Sequence, residues 1–558
     1  MQLASLRVQG FRGMEDLLLP LDHVTVLVGE NRVGKTTLVD ALDYCLRNTR
    51  AVQSCPFVSA DFRRTNGEPP PPIQLTLDFL EATQGEWSAP AFEGLETLSW
   101  QSDAGPIRQL RLRLTGTWSG GEEAPESQWE FLDRRDHPHK GAWDEQKVAR
   151  LRALVPCLVL GRDRWDLPPE KGATNSHPID PRQRVVGLYR RASQTRGYLS
   201  RDEVLAGLHA ARLIDASEPD AQPEPPRHMR EMIETPRDLT PLPSKLSEED
   251  SLSAPNLALL LLIGALLEAR GEAQLPHEAC PVILIEEPEA HLHPILAASL
   301  WGTLERVRAQ KVITTHSGEL LAAAPLRAVR RLTRRDDVTS LHRLPRRGLS
   351  LDDLRRVGYH VRLQRGASLF ARCWLLVEGE TEAWLLPEMA RMCGYVLATE
   401  GVALLEFAQC GVRSLVRLAD ALGIEWHLLA DGDHAGERYV DDATNHLDGR
   451  SADERITRLP AHDVERCMWN HGYERVFQEA AFGPRKRGRR KPGGRERPER
   501  VIRRALRKHN KPFMALRVIE AAAEEGSPGV PPALRRAVDA AVWLARSSAG
   551  IPGKRPEL

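Results

Sequence analysis

The sequence predicts an α/β protein of more than one unit, each unit built on a parallel sheet. Three observations carry that expectation. An apolar strand near the N-terminus runs straight into a glycine-rich loop and a helical pattern, VTVLVGENRVGKTTLVDAL (24–42). Two further apolar strands, in PVILIEEPEAHLHP (281–294) and KVITTHSGELL (311–321), stop abruptly in glutamates and in a histidine. After residue 370 come further strands, each followed by a glycine turn and a helical pattern, and two of them stop in clusters of acid. Strands that alternate with helices are the pattern of parallel sheets.

A length of 558 residues exceeds one ordinary domain. The expected division is a first α/β domain in two parts, 1–164 and 251–365, split by a helical insertion at 165–250, and a second α/β domain at 366–558. Hydrophobic residues at 41% and charged residues at 28% indicate a globular protein. Lys+Arg and Asp+Glu balance at 77 each, so net charge says nothing about partners. Its distribution says more: 485–508 holds 13 basic and 2 acidic residues. The eight cysteines form no CxxC pair, which argues against a zinc ribbon or a disulfide framework, and they read as reduced cytosolic thiols. The opening MQLASLRVQGFRG has no apolar signal core, and no apolar run reaches the roughly 20 residues that span a membrane. The expected location is the cytoplasm.

The first strand, 24–28, enters Gly29-Glu30-Asn31-Arg32-Val33-Gly34-Lys35-Thr36-Thr37, which fits G-x-x-x-x-G-K-[ST]. Glycines let backbone N–H groups close around phosphate oxygens, and the helix N-terminus adds a favourable dipole. Asn31, Gly34, Lys35, Thr36 and Thr37 are the expected nucleotide contacts, with Lys35 on the β/γ-phosphates and Thr36 on Mg²⁺. A chance match in a glycine-containing loop is the bland alternative, and the order strand, loop, helix disfavours it.

Such a loop needs an acidic partner strand, and 282–285 followed by Glu286-Glu287 supplies one. A carboxylate at Glu286 can hold Mg²⁺ through water, and Glu287 can polarise the attacking water. Glu289, His291 and His293 extend this polar end; the two histidines, two residues apart, match zinc spacing poorly and read as structural. His316, closing the next strand, is placed to sense a γ-phosphate, against the alternative of a core histidine.

Together these motifs resemble the ATPase heads of the ABC class, in particular its SMC-like and RecF-like branch. That branch opens with a short strand, an F-R turn and an early P-loop, as LRVQGFRG (6–13) does here. The resemblance covers roughly 1–345. It implies a signature segment that completes a partner protomer's ATP site. Leu252-Ser253-Ala254-Pro255-Asn256 is the candidate, with Ser253 as its nucleotide contact; the serine of the usual LSGGQ is present and both glycines are absent. The glutamine loop has no clear counterpart beyond the segment around Asp61. The proline-rich 165–250 contains helical patterns but no sustained heptad. It reads as a small helical dimerisation domain or as a surface excursion.

In the second half, RCWLLVEGETEAWLLPEMARMCG (372–394) reads as strand, glycine turn and helix. Glu378 ends the strand and Glu382 lies four residues on, in the first helical turn. IEWHLLADGDHAG (424–436) is a later strand that closes on Asp431-Gly432-Asp433. Acids at the C-terminal ends of neighbouring parallel strands converge, and stacked carboxylates repel without a cation. Glu378, Asp431 and Asp433 would form a hard-oxygen site suited to Mg²⁺ or Mn²⁺. One such cluster reads equally as a solvated loop; two, each closing a buried strand, do not.

A glutamate after the first strand and a D-x-D after a later one resembles a Toprim domain. A Toprim domain behind an SMC-like head resembles the OLD (overcoming lysogenisation defect) nucleases, whose relatives include the partners of UvrD-like helicases in Gabija-type antiphage systems. The resemblance implies the whole architecture: an ABC-type P-loop ATPase domain with a helical insertion, then a Toprim domain with a Rossmann-like parallel sheet. It implies that Glu378, Asp431 and Asp433 hold one metal ion and Glu382 a second. It also implies a later acid, for which RLPAHDVERCM (458–468) offers Asp463 or, preferred, Glu465, and a lysine, for which HNKPFMALRVIE (509–520) offers Lys511. Lys511 reads otherwise as a surface lysine.

The basic run 484–508 has almost no apolar residues in its first part, reads there as a mobile loop, and fits phosphate contact better than it fits a solvated linker. It lacks aromatics for base stacking. The reading that results is an ATP-regulated, divalent-metal-dependent DNA endonuclease or nickase of the OLD family, acting in antiphage defence or DNA processing as a homodimer or larger homo-oligomer, with a helicase as the implied partner. The rival is a RecF-like ATP-dependent DNA clamp with an inert Toprim scaffold. A topoisomerase or primase ranks lower, because neither a zinc module nor a nucleophilic-tyrosine domain is visible.

Overall fold

The computed structural model describes residues 1–46, 52–63, 69–102, 105–119, 123–139, 145–160, 278–290, 301–302, 304–305, 309–345, 349–358, 366–483, 497–553 and 555. The expected helical insertion at 165–250, the signature segment with Ser253, and His291 and His293 lie outside these residues. Chain contacts divide the molecule into two units, Met1–Ala324 and Pro325–Leu558.

The first unit contains two sheets. One is antiparallel: β1 (Gln2–Phe11) pairs with β2 (Met14–Pro20) and β4 (Ile73–Leu80), and β6 (Arg108–Thr117) lies between β4 and both β5 (Trp100–Gln101) and β7 (Glu126–Leu132). Its strands alternate as one-sided strands must. Leu110, Leu112 and Leu114 are buried, while Arg111 and Arg113 between them are not. In the other sheet β3 (Val24–Val28), β8 (Cys157–Leu160), β9 (Val282–Glu286) and β10 (Gln310–Thr314) run parallel to one another. Here the strands are apolar runs, because both faces are covered. Val26, Leu27, Val28, Val312 and Ile313 have essentially no exposed surface. The buried side chain of Gln310 stitches the two sheets together: its Oε1 accepts from Leu3 N (3.1 Å) and its Nε2 donates to Leu3 O (2.6 Å) and Asp22 O (3.1 Å). An amide is the side chain that can satisfy a backbone N–H and C=O at once.

Register decides what this sheet displays. Val26 lies level with Ile313, and Ile313 with Ile285. The three C-terminal ends therefore open at one edge. Gly29 with the loop and α1 (Lys35–Leu46), Glu286-Glu287, and Thr315-His316 all leave from it.

The second unit begins with a hairpin, β11 (Val329–Arg335) and β12 (Val338–Arg343), then α4 (Leu351–Val357); α2 (Glu145–Leu154) and α3 (Gly318–Ala323) belong to the first unit. Its sheet is parallel throughout, in the order β14 (Val402–Glu406), β13 (Cys373–Val377), β15 (Glu425–Ala430), β16 (Ile456–Arg458). Helices α5 (Glu380–Met392), α6 (Val412–Ala421), α7 (His434–Thr444) and α8 (Ala452–Arg455) connect the strands. After β16 come α9 (Val464–Met468), α10 (Glu474–Phe482), α11 (Pro498–Lys508), α12 (Lys511–Ala522) and α13 (Pro532–Ser548). The strand, turn and helix expectations for 372–436 hold element by element. Helix α12 packs on α5, and α13 packs on β13 and β15 through Leu534, Ala537, Val538, Ala541 and Leu544.

Chain contacts group β11, β12 and α4 with the second unit. Arg331 of β11 is buried and bonds within that unit. Its guanidinium donates to Leu422 O (3.0 Å), Gly423 O (2.8 Å) and Ala371 O (2.8 Å). Asp353 of α4 accepts from Ser414 Oγ at 2.8 Å.

His427 sits in the middle of β15 with no exposed surface. Its Nδ1 lies 2.9 Å from Glu454 O and its Nε2 2.9 Å from Thr457 Oγ1, an arrangement that suits the neutral ring with the proton on Nδ1. Burial above all pushes its pKa down to about 4. A depressed histidine contributes stability that is present above its unfolded pKa of roughly 6.5 and is lost as pH falls toward 4. We expect the second unit to lose up to ~3 kcal/mol over that window. Denaturant unfolding of wild type and His427→Asn from pH 7.5 to 4 checks this: the variant should show a flatter profile, and parallel profiles would refute it.

Candidate functional site

At the open edge of the first sheet, the loop 29–34 takes conformations that its residues permit. Gly29 has φ 150° and Gly34 φ 103°, and Arg32 between them is left-handed at 67°. A Cβ on Gly34 would lie 2.8 Å from Met14 Cε. Lys35 folds back under the loop, its Nζ donating to Gly29 O (2.7 Å) and Glu30 O (2.8 Å). Asn31 and Thr36 are exposed, and Thr37 is half-buried. Asp61, the glutamine-loop candidate, is instead buried and taken up by protein: it accepts from Arg12 Nε (2.7 Å), Val58 N (2.9 Å) and Tyr44 OH (3.3 Å).

Across the edge, Glu286 ends β9 half-buried. Glu287 follows at φ 45°, a left-handed conformation that costs a non-glycine residue on the order of 1 kcal/mol or more. Its N–H donates to Thr314 O at 3.0 Å. Its Oε1 lies 3.4 Å from His316 Nε2. The structure therefore brings together Glu287 and His316, 29 positions apart in the chain, as the register of β9 and β10 requires.

At the C-terminal edge of the second sheet, six acids and one lysine share one electrostatic field. Glu378 follows β13; its Oε2 is buried and has no hydrogen-bond partner among the described residues. Burial raises its pKa, the charge of Asp433 adds to the rise and Lys511 opposes it. Glu382 is buried in the first turn of α5 and accepts from Gly379 N at 3.2 Å. Burial, aided by the charge of Glu465, pushes it up to about 7. Asp431 after β15 is pushed up to about 8, first by burial and then by the charges of Glu382, Glu378, Asp463 and Glu465.

The turn that carries Asp431 and Asp433 leaves no room for side chains at its glycines. A Cβ on Gly432 would lie 2.3 Å from Ala461 O, and one on Gly436 2.0 Å from Asp431 O. Asp433 caps α7, accepting from Gly436 N at 2.7 Å. Asp463 caps α9 in the same way, accepting from Arg466 N at 2.7 Å. Glu465, two residues on, is buried, accepts from Thr381 Oγ1 at 2.9 Å and lies 3.8 Å from Lys511 Nζ. Lys511 opens α12; burial lowers its pKa, but Glu465, Glu382, Asp431 and Asp463 together outweigh that and raise it.

Sequence reasoning missed Thr381, and it noted Glu289 without giving it a role. Thr381 sits between two of the glutamates it noticed, and nothing in the spacing marks its partner Glu465, 84 positions away.

The donor set suits a hard divalent cation. It is all carboxylate oxygen, one oxygen is buried without a partner among the described residues, and burial, with mutual repulsion behind it, raises three of the pKa values. No three His, Cys, Asp or Glu side chains among the described residues already stand as a closed metal cage. The acids converge on the edge without touching as ligands do.

A family model described as a protein of unknown function, DUF2813, matches residues 1–368. A second model, described as the TOPRIM domain of overcoming lysogenization defect protein-like chains, matches residues 369–433.

The chain belongs to the DUF2813 family.

In this DUF2813 protein the sheet that carries the P-loop comes first and the segment matched by the OLD-like TOPRIM model follows it. The matched Toprim segment begins just before β13 and ends on Asp433, so it contains Glu378, Glu382 and Asp431. Over 563 residues the chain is 33% identical to the uncharacterized protein YbjD of Escherichia coli (strain K12), covering 98% of this chain and 100% of the relative. It is 24% identical over 522 residues to the OLD nuclease of Thermus scotoductus, covering 86% of this chain and 92% of the relative. Among solved structures, the C-terminal region of the Burkholderia pseudomallei OLD protein is similar at 15% identity and a TM-score of 0.27, covering 32% of this chain and 100% of that one. Among the described residues of this DUF2813 protein, no helix is long and apolar enough to cross a membrane.

The Thr381–Glu465 bond gives a direct test of how the acidic edge is held. Thr381→Val leaves a buried carboxylate short of a donor and should destabilise the second unit by about 1–3 kcal/mol, while Thr381→Ser should restore most of the loss. Equilibrium denaturation checks it; equal stability of the valine and serine variants would remove the bond from the account.

Proposed function

We propose that this DUF2813 protein is an ATP-regulated, divalent-metal-dependent DNA endonuclease or nickase. The observation that carries the reading is the convergence of Glu378, Glu382, Asp431, Asp433 and Glu465 with Lys511 on one edge of a parallel sheet. The OLD nuclease relative supports the reaction class.

Glu378, Asp431 and Asp433 would hold one divalent ion, Mg²⁺ or Mn²⁺, and Glu382 would hold a second. The chemistry such ions supply when bound is neutralisation of phosphate charge and a water acidic enough to attack near neutral pH. The chain's own residues do the rest. Glu465, fixed by Thr381, keeps Lys511 at the edge, where its ammonium binds the non-bridging phosphate oxygens as charge builds on them. Asp433 and Asp463, as helix caps, hold the two loops that frame the edge.

Helix α11 supports nucleic acid as the substrate. It buries Val501, Ile502 and Ala505 and exposes Arg500, Arg503, Arg504, Arg507 and Lys508, and it leads within three residues to Lys511. A row of cations beside the acids attracts a polyanion whatever its sequence. The more basic first part of this run, up to residue 496, lies outside the described residues. Expectations of a homodimer or larger assembly, a helicase partner, a role in antiphage defence and a cytoplasmic location belong to the same reading.

In the head, Asn31, Gly34, Lys35, Thr36 and Thr37 would bind ATP, Glu286 its Mg²⁺, and Ser253 the nucleotide of a partner protomer. Glu287 would orient the attacking water with His316 against its carboxylate.

Supercoiled plasmid with Mg²⁺ or Mn²⁺ should be nicked by wild type. Asp431→Ala should lose nicking by at least about 100-fold and keep ATP hydrolysis near the wild-type rate, since the two sites sit in different units. Nicking by pure Asp431→Ala protein would remove these acids from catalysis, and no nicking by wild type with either metal would favour the clamp. Lys35→Ala should abolish ATP binding, whereas Glu287→Gln should bind ATP and hydrolyse it on the order of 100-fold more slowly. Equilibrium binding beside a phosphate-release assay separates the two; wild-type hydrolysis by Glu287→Gln would displace Glu287 from its role.

A further inference from the structure

We infer that Glu289 is the positioning residue of ATP hydrolysis in this head, acting by clamping the loop that carries His316. The inference rests on the reading of 286–317 as the hydrolytic edge, and it assigns a role to a residue that the nucleotide motifs leave unused.

The geometry is specific. One carboxylate oxygen, Glu289 Oε1, accepts from three donors on the neighbouring strand end: Thr315 Oγ1 at 2.8 Å, His316 N at 2.8 Å and Ser317 N at 3.2 Å. The hydroxyl of Thr315 in turn accepts from Ser317 N at 3.0 Å. Three consecutive residues, with His316 in the centre, are thus tied to one oxygen. The other oxygen, Oε2, is buried and has no hydrogen-bond partner among the described residues. The negative charge is therefore answered on one side only, by the loop it holds.

A second tether runs the other way. Glu287 N donates to Thr314 O at 3.0 Å, fixing the left-handed backbone of Glu287 to the last residue of β10. Between these tethers His316 Nε2 stands 3.4 Å from Glu287 Oε1. The β-sheet register ends at Thr314, so nothing in the ladder itself holds residue 316. Glu289 performs that task from two residues beyond Glu287. The two ends of the turn have their own anchors, Thr315 N on Leu27 O at 3.3 Å and Ser317 as the cap of α3, and Glu289 ties the backbone of His316 between them, which keeps its ring at its distance from Glu287. Glu289 touches neither water nor phosphate in this role. It acts through His316.

The test uses the full chain and reads kcat and KM for ATP separately. Glu289→Ala should lower kcat on the order of 10- to 100-fold, as misplacement of a catalytic group does, with KM changed by less than about 3-fold. Glu289→Gln retains an acceptor oxygen and should stay within about 3-fold of wild type. The double variant Glu289→Ala/His316→Ala should be no slower than His316→Ala alone, because both act through one group. Wild-type kcat in Glu289→Ala, or factors that multiply in the double variant, would overturn the proposal. So would a glutamine variant as slow as the alanine one, and that variant keeps the test open should Glu289→Ala fail to fold. An inactive wild type would instead overturn the ATPase reading itself, a separate outcome.

Discussion

Parallel pairing in register is the constraint on which the rest of this structure depends. In a parallel sheet every strand ends at the same edge, so whatever follows each strand is delivered to one place. In the first unit, Ile285, Ile313 and Val26 lie level, and the phosphate loop, the paired glutamates and the His316 turn leave side by side. In the second, Leu376 lies level with Leu405 and Leu428, and the acids that follow β13 and β15 face the same opening. Neither edge needs residues that are neighbours in the chain.

Bringing acids together this way is unfavourable, and the second unit shows how the cost is distributed. Burial and mutual repulsion raise Glu378, Glu382 and Asp431. Backbone N–H groups answer Glu382, Asp433 and Asp463 at the helix starts, a hydroxyl answers Glu465, and one lysine faces several of them. Glu378 keeps an oxygen that no described group satisfies. Acids that repel one another and offer hard oxygens are the groups a divalent cation stabilises most.

Backbone geometry adds a second layer of commitment. Gly432 and Gly436 admit no side chain, so the acidic turn can press against 459–461 and against its own start. Glu287 holds a left-handed conformation that a strand end would not choose, and its neighbours on β10 keep it there. In the first unit, strain sits where chemistry is proposed.

Much of this was legible in the chain. Apolar runs that stop in glycine or acid marked β3, β9, β10, β13 and β15, and their spacing with helical patterns specified two parallel sheets. The acids at their ends followed, because strand direction alone places them at one edge. The basic character of 485–508 was legible as well, whereas the amphipathic helix at 498–508 emerged only in the structure. What local sequence did not determine were contacts between residues far apart: Thr381 with Glu465, Glu289 with 315–317, Arg331 with the carbonyls of 371, 422 and 423. The reason is physical. Periodicity and strand endings are properties of a few neighbouring residues, so the chain carries them openly. A hydrogen bond across 84 positions exists only after the sheets have set their register, and only the tertiary structure could decide which acid meets a hydroxyl and which meets a lysine.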